Sequence, residues 1–196
     1  MTRLLDIIFS GIALIALSPL LLPLVIVLRF SGEGEVFFKQ DRVGRGGHYF
    51  SLYKFATMLK DSPNMGTGTV TLKNDPRILP LGRFLRKTKM NELPQLINIF
   101  LGEMSFVGPR PFVIKHDLYE KEFLDRFLVL PGLTGWAQVN GRNSIPWKRK
   151  FELDCWYVRN ISFRLDFSIL LKTLFVLFDH RSVSADGHAT FPEFKK

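Results

Sequence analysis

The chain has 196 residues, enough for one domain and an anchor, and 46% of them are hydrophobic, 19 being phenylalanine. A mean hydropathy of +0.10 is high for an ordinary soluble protein and makes a bilayer the first partner to consider. The formal charge is +9, and setting aside Arg3, Arg29 and Asp6 still leaves +8 on residues 30–196, a field suited to anionic lipid headgroups, nucleotide diphosphates or nucleic acid.

Residues 7–28 carry no charge, and at about 1.5 Å per residue they are long enough to cross a hydrocarbon core of about 30 Å. Two readings stay open. One is a single spanning helix. The other is a re-entrant segment kinked at Ser18-Pro19, where Pro19 removes a backbone donor and Ser18 can bond the freed carbonyl. Basic residues on both flanks, Arg3 before and Arg29, Lys39, Arg42 and Arg45 after, favour the re-entrant form, because neither flank is marked as non-cytoplasmic. A cleavable signal peptide fits less well, since the apolar run is too long and no small-x-small cleavage site follows.

Beyond the anchor, residues 35–40 and 48–54 read as two short strands around Gly44-Arg45-Gly46-Gly47, a hairpin. Residues 61–80, rich in Asp, Asn, Pro, Gly and Thr, read as a surface loop, and residues 81–89 form a basic segment. Pro94 suits a first helical turn, and Leu96, Ile97, Phe100 and Leu101 continue at helical spacing to Gly102. Asn91 and Glu92 then sit before a helix N-terminus, where they either cap the helix or flank an anion-binding end. In Gly108-Pro109-Arg110-Pro111 two prolines fix the backbone around a guanidinium whose fork suits phosphate oxygens.

Residues 130–147 combine glycine, proline, asparagine and aromatics in a loop of the kind that carries function, and Arg142 beside Gly141 suits a second anion contact. Glu152 and Asp154 follow; carboxylates two apart share no helix face, so both reach one site only on irregular backbone. Residues 163–178 are strongly apolar but hold Arg164, Asp166 and Lys172, which fits core packing or the headgroup interface better than a second span. Cys155 is the sole cysteine, so an intramolecular disulfide is excluded and a reducing, cytoplasm-facing body fits; His48, His116, His180 and His188 lack zinc-site spacing.

These motifs, taken in order, resemble the bacterial sugar transferase family, the monotopic polyprenol-phosphate phosphoglycosyl transferases, and in particular its small members. The fragments are the apolar segment with Ser18-Pro19, Tyr53-Lys54-Phe55, Leu85-Arg86, Glu92-Leu93-Pro94-Gln95-Leu96, residues 104–111, Pro131-Gly132-Leu133-Thr134-Gly135 and Gln138-Val139-Asn140-Gly141-Arg142-Asn143. The resemblance implies an α+β fold, mainly helical with a small β-hairpin. It implies a re-entrant membrane anchor over residues 1–30 and a catalytic domain over 31–196 at the cytoplasmic face of the bacterial inner membrane, with interfacial helices.

The implied reaction moves a sugar 1-phosphate from a UDP-sugar to polyprenol (undecaprenyl) phosphate, with UMP released and Mg²⁺ as cofactor. In it a carboxylate acts as covalent nucleophile and the metal neutralises charge on the diphosphate. Carried onto this chain, positions 91 and 92 are the catalytic pair, with Glu92 the metal ligand. Arg86, Arg110 and Arg142 match family arginines expected near phosphates, and Lys54, Glu152 and Asp154 join them as candidate substrate or phosphate contacts. Membrane phospholipids are partners, a homodimer is admitted and nucleic acid is not expected.

The chain departs from the family pattern at Asn91, where an Asp precedes Glu92 in relatives, and at Ala56, where relatives often carry a base. Three accounts of Asn91 stand: an inactivating replacement, a nucleophile role taken by Glu92, or direct transfer without a covalent intermediate. A membrane protein that binds without turnover is the competing class. A nucleic-acid binder has the pI of 9.8 in its favour but no recognition motif.

Overall fold

The computed structural model describes residues 3–68, 71–72, 74–141 and 144–178. Helix α1, Arg3–Arg29, runs without interruption through Pro19 and Pro23. Pro19 cannot donate to the carbonyl four residues earlier, that of Ile15, and the Ser18 hydroxyl supplies a donor to that oxygen at 2.7 Å. By length and composition α1 could cross a membrane.

Both ends of α1 are nevertheless tied to the rest of the chain. At the start, Arg3 donates to the carbonyls of Ile99 and Phe100. The buried Asp6 accepts from the Ser105 hydroxyl at 3.0 Å and the Phe106 amide at 3.2 Å. Midway, Ala13, Leu14 and Leu17 pack on Leu52, Leu96, Ile99 and Met104. Near the end, Leu28 is buried with Phe55 and Leu85, and Arg29 donates to the Gly34 carbonyl. One stripe of an apolar helix thus covers the core, while Leu4, Ile8, Ile12, Ile15, Leu22 and Ile26 point outward.

Strands β1, Phe37–Val43, and β2, Tyr49–Phe55, form the expected antiparallel hairpin, with Phe37 opposite Phe55 and Val43 opposite Tyr49. The turn at 44–48 requires left-handed backbone at Gly46 and Gly47, with φ of 67° and 80°, which glycine adopts without steric cost. The strands lie one to three residues further along than expected. Alternation marks the strand but does not place its ends.

Residues 61–80 are not a plain surface loop. The buried Arg77 pairs with Asp75 at 2.6 Å and donates to the carbonyls of Ser62, Met65 and Gly68, so one guanidinium gathers a segment short of regular hydrogen bonds. Helix α2, Pro80–Lys87, starts with proline at its first position and presses Gly82 against the Thr57 carbonyl, where a Cβ would come within 2.1 Å.

Helix α3, Gln95–Leu101, ends at Gly102 with φ 95°, a left-handed C-terminal residue. The preceding 3₁₀ turn, Met90–Glu92, runs into it. Carbonyls of Leu93 and Pro94 accept from the amides of Leu96 and Ile97, so these two amides are not the free anion-binding donors expected at a helix start.

Strand β3, Ser105–Val107, pairs in parallel with β4, Gly132–Thr134; β4 and helix α4, Trp136–Val139, fall in the stretch read as loop, and β3 in one given no element. Helix α5, Trp147–Arg159, is regular, and α6, Phe163–Phe178, buries Ile169 and Asp166 and leaves Phe163, Phe167, Leu171, Leu174 and Phe175 exposed. The architecture is mixed α and β, mainly helical.

Candidate active site

The face of β2 that buries Leu52 against α3 carries Lys54 two residues on, as strand periodicity requires. Asn98, fully buried on α3, locks this strand: its side-chain oxygen accepts from the Tyr53 amide and its NH₂ donates to the Ser51 carbonyl. Lys54 is thereby aimed at Glu92, Nζ to Oε1 3.8 Å, and Arg110 reaches the same oxygen at 3.4 Å. The turn bearing Glu92 is set by Lys89, held at φ 62°, and its buried neighbour Asn91 lines the same wall.

These groups border a groove of about 1810 Å³ that also takes in Arg42, Arg86 and Lys150. Arg86 donates to the Thr71 hydroxyl at 3.1 Å and the Thr57 hydroxyl at 3.4 Å.

The electrostatics are those of an anion site. Burial alone would raise the Glu92 carboxyl, but Arg110, Lys54 and Lys89 hold it down to about 2. Burial pushes Lys54 down to about 8 against the pull of Glu92, with Arg42, Arg110 and Arg86 adding to the fall. Burial also lowers Lys150 to about 8 and Arg42 to about 10, with Arg110 contributing in both. Lys54, Arg110, Arg42, Arg86 and Lys150 set against the one carboxylate of Glu92 leave a local cationic surplus that an oligophosphate would neutralise.

Among the described residues no group of three or more His, Cys, Asp or Glu could hold a metal. Glu92 offers one carboxylate beside Lys54 and Arg110. That fits a hard divalent cation shared with a substrate's phosphates better than one caged by protein alone.

Of the residues singled out by sequence, Lys54, Arg86, Asn91, Glu92 and Arg110 meet in the groove. Arg142 lies outside the described residues. Regular helix at α5 sends Glu152 and Asp154 apart. Glu152 is at the surface, paired with Arg149 at 2.9 Å, while Asp154 is buried behind the groove against Arg126 at 2.9 Å; neither lines it. Ser18 and Pro19 stand in α1, away from this wall. Sequence reasoning passed over Arg42 and Lys150. Arg42 stood only as a flanking charge, because the strand was read as ending at residue 40 whereas β1 runs to Val43 and brings Arg42 in beside Lys54's strand.

Residues 1–180 match the model of a family described as "Bacterial sugar transferase". Over 193 residues the chain is 41% identical to the uncharacterized sugar transferase EpsL of Bacillus subtilis, covering 98% of this chain and 94% of that one. It is 37% identical over 184 residues to the exopolysaccharide production protein ExoY of Rhizobium meliloti, 86% of this chain and 81% of the relative. A UDP-glucose:undecaprenyl-phosphate glucose-1-phosphate transferase of Xanthomonas campestris is 41% identical over 177 residues, covering 86% of this chain but 37% of the relative. The chain therefore spans little more than a third of the one of these three whose name states a reaction.

Proposed function

The chain belongs to the bacterial sugar transferase family, and from that premise we propose that it transfers a sugar 1-phosphate from a UDP-sugar to undecaprenyl phosphate and releases UMP. The observation that carries the reading is the convergence of Lys54 and Arg110 on Glu92 in a groove to which Arg42, Arg86 and Lys150 add further cations. A carboxylate that must approach an anionic diphosphate has to stay ionised there, and its two cationic neighbours accomplish this while offering donors to phosphate oxygens.

Glu92 is the nucleophile of choice in this chain, since the carboxamide of Asn91 is a far weaker one. Its oxygen attacks the sugar-bearing phosphorus, the bond to the UMP oxygen breaks, and UMP leaves with that electron pair. An oxygen of undecaprenyl phosphate then attacks the same phosphorus and frees the carboxylate. Lys54, Arg86 and Arg110 hold the phosphates and stabilise charge on the leaving oxygen. Mg²⁺, with Glu92 as its protein ligand, would add charge neutralisation on the diphosphate.

The same reading places the chain on the cytoplasmic face of the bacterial inner membrane with α1 re-entrant. Supporting this, Arg3 and Asp6 at one end of α1 and Leu28 at the other are bound to one body, which a helix crossing to the far side would not allow. The exposed apolar stripes on α1 and α6 suit the acyl region and the interface.

A second reading, a chain that binds the same substrates without turnover, draws on Asn91. Intact mass of the full chain in lipid nanodiscs, incubated with a UDP-sugar panel, separates them. A phosphosugar adduct that Glu92→Gln abolishes supports the proposal. Adduct and UMP release appearing only in Asn91→Asp would favour the second reading, and product without adduct would mean direct transfer.

A further inference from the structure

The segment Pro109-Arg110-Pro111 has three successive carbonyls, and each accepts a hydrogen bond from a different element. The Gly132 amide donates to Pro109 at 2.9 Å, Arg126 Nη2 donates to Arg110 at 2.6 Å, and Arg42 Nη1 donates to Pro111 at 3.0 Å. The segment has little freedom of its own: proline fixes φ at 109 and 111, and a following proline confines residues 108 and 110 to extended backbone. Fixing the Arg110 carbonyl sets its remaining backbone torsion and hence the direction in which its side chain leaves the chain toward Glu92.

Arg126 is placed for this task and for no contact with substrate. It is 3% exposed, and it does not line the groove. Its guanidinium carbon lies 5.0–5.5 Å from the ring centres of Phe112, Tyr119, Phe127 and Phe151. It donates to the Tyr119 hydroxyl at 2.9 Å and to Asp154 Oδ2 at 2.9 Å, while Asp154 Oδ1 has no hydrogen-bond partner among the described residues. A buried pair with one oxygen left unsatisfied is a poor way to gain stability, since apolar packing of the same volume does as well or better. Its geometry makes sense if the guanidinium is there to deliver one donor to one carbonyl.

We propose that Arg126, oriented by Asp154 and its aromatic cage, is a positioning residue that holds the Arg110 carbonyl and so aims the Arg110 guanidinium at a phosphate in the groove; this rests on the function proposed above. Asp154 and Arg126 act through Arg110, which reaches the anion while they do not.

A double-substitution cycle on UDP binding tests it, using the full chain in lipid nanodiscs with calorimetry and thermal melting. Arg126→Lys and, separately, Asp154→Asn should weaken UDP binding about tenfold in the otherwise unaltered chain. In an Arg110→Ala background, the same substitutions should change it less than about twofold, because the residue they aim is gone. Equal weakening in both backgrounds, or failure of both substitutions to give folded protein, would make the pair an element of the core alone and overturn the inference. If the unaltered chain does not bind UDP, the proposed function falls and takes this inference with it.

Discussion

The titration of Lys54 turns the site's electrostatics into a rate profile. Burial brings its ammonium down to about 8, so at pH 7 about nine-tenths of the lysines are charged and at pH 9 about one-tenth. If the ammonium is needed to hold a substrate phosphate, kcat/KM falls about tenfold per pH unit above 8, since this parameter reports the free enzyme. A bound phosphate adds a negative neighbour and raises the ammonium's pKa, so the fall in kcat should begin at higher pH. Glu92, held at about 2, is ionised throughout the accessible range and contributes no limb above pH 4. The assay is UMP release from a UDP-sugar between pH 6 and 10 in lipid nanodiscs. Lys54→Arg keeps a charge that does not titrate, so it should lower the rate at pH 7 but erase the alkaline fall. Lys150 on α5 also stands at about 8. A fall that stays near pH 8 in Lys54→Arg and vanishes in Lys150→Arg would refute the assignment to Lys54.

Arg110→Lys should retain more activity than Arg110→Ala but less than the unaltered chain, because an ammonium keeps the charge and loses the fork that matches two phosphate oxygens; full activity in either, by UMP release, would make Arg110 structural. Asp6→Ala strands the Ser105 hydroxyl and the Phe106 amide and should cost about 2–4 kcal/mol, read as a lower melting temperature, whereas an unchanged midpoint would deny the tie between α1 and β3. Labelling of single cysteines at position 2 and in the body, in Cys155→Ala, should report the same side of sealed vesicles, and opposite sides would establish a spanning α1.

Much of this molecule follows from short-range chemistry. The hairpin shows in glycines 46 and 47, which the turn needs at positive φ. Helix α3 shows in its apolar spacing and its terminal Gly102, and the Ile15 carbonyl freed by Pro19 finds the Ser18 hydroxyl as the residues foretell. The groove's membership was legible in part, because Glu92 and Arg110 sit in proline-bearing motifs, while Lys54 lies in a regular strand whose alternation sets its face.

What escaped depends on contacts distant in sequence. The parallel β3–β4 pair joins three-residue strands 27 positions apart at Ser105 and Gly132, too short for any alternation to register. Its signal was in the glycines, since a Cβ on Gly132 would come within 2.1 Å of the Gly108 nitrogen. Glu152 and Asp154 could share a site only on irregular backbone, but α5 is regular and separates them by about 200°, and only the fold says which one faces inward. Arg77 and Arg126 carry charge in the middle of the protein, where their value comes from carbonyls that sequence cannot place near them.

The claim that this chain is a sugar-phosphate transferase with Glu92 at its chemical centre is tested most directly by UMP release. The full chain in lipid nanodiscs would be given UDP-sugars, undecaprenyl phosphate and Mg²⁺, beside its Glu92→Gln variant. The account predicts UMP and a lipid-linked phosphosugar with at least one UDP-sugar, and a fall of roughly 10³-fold or more in the variant, the scale of losing a nucleophile. Equal turnover by the two proteins would contradict it.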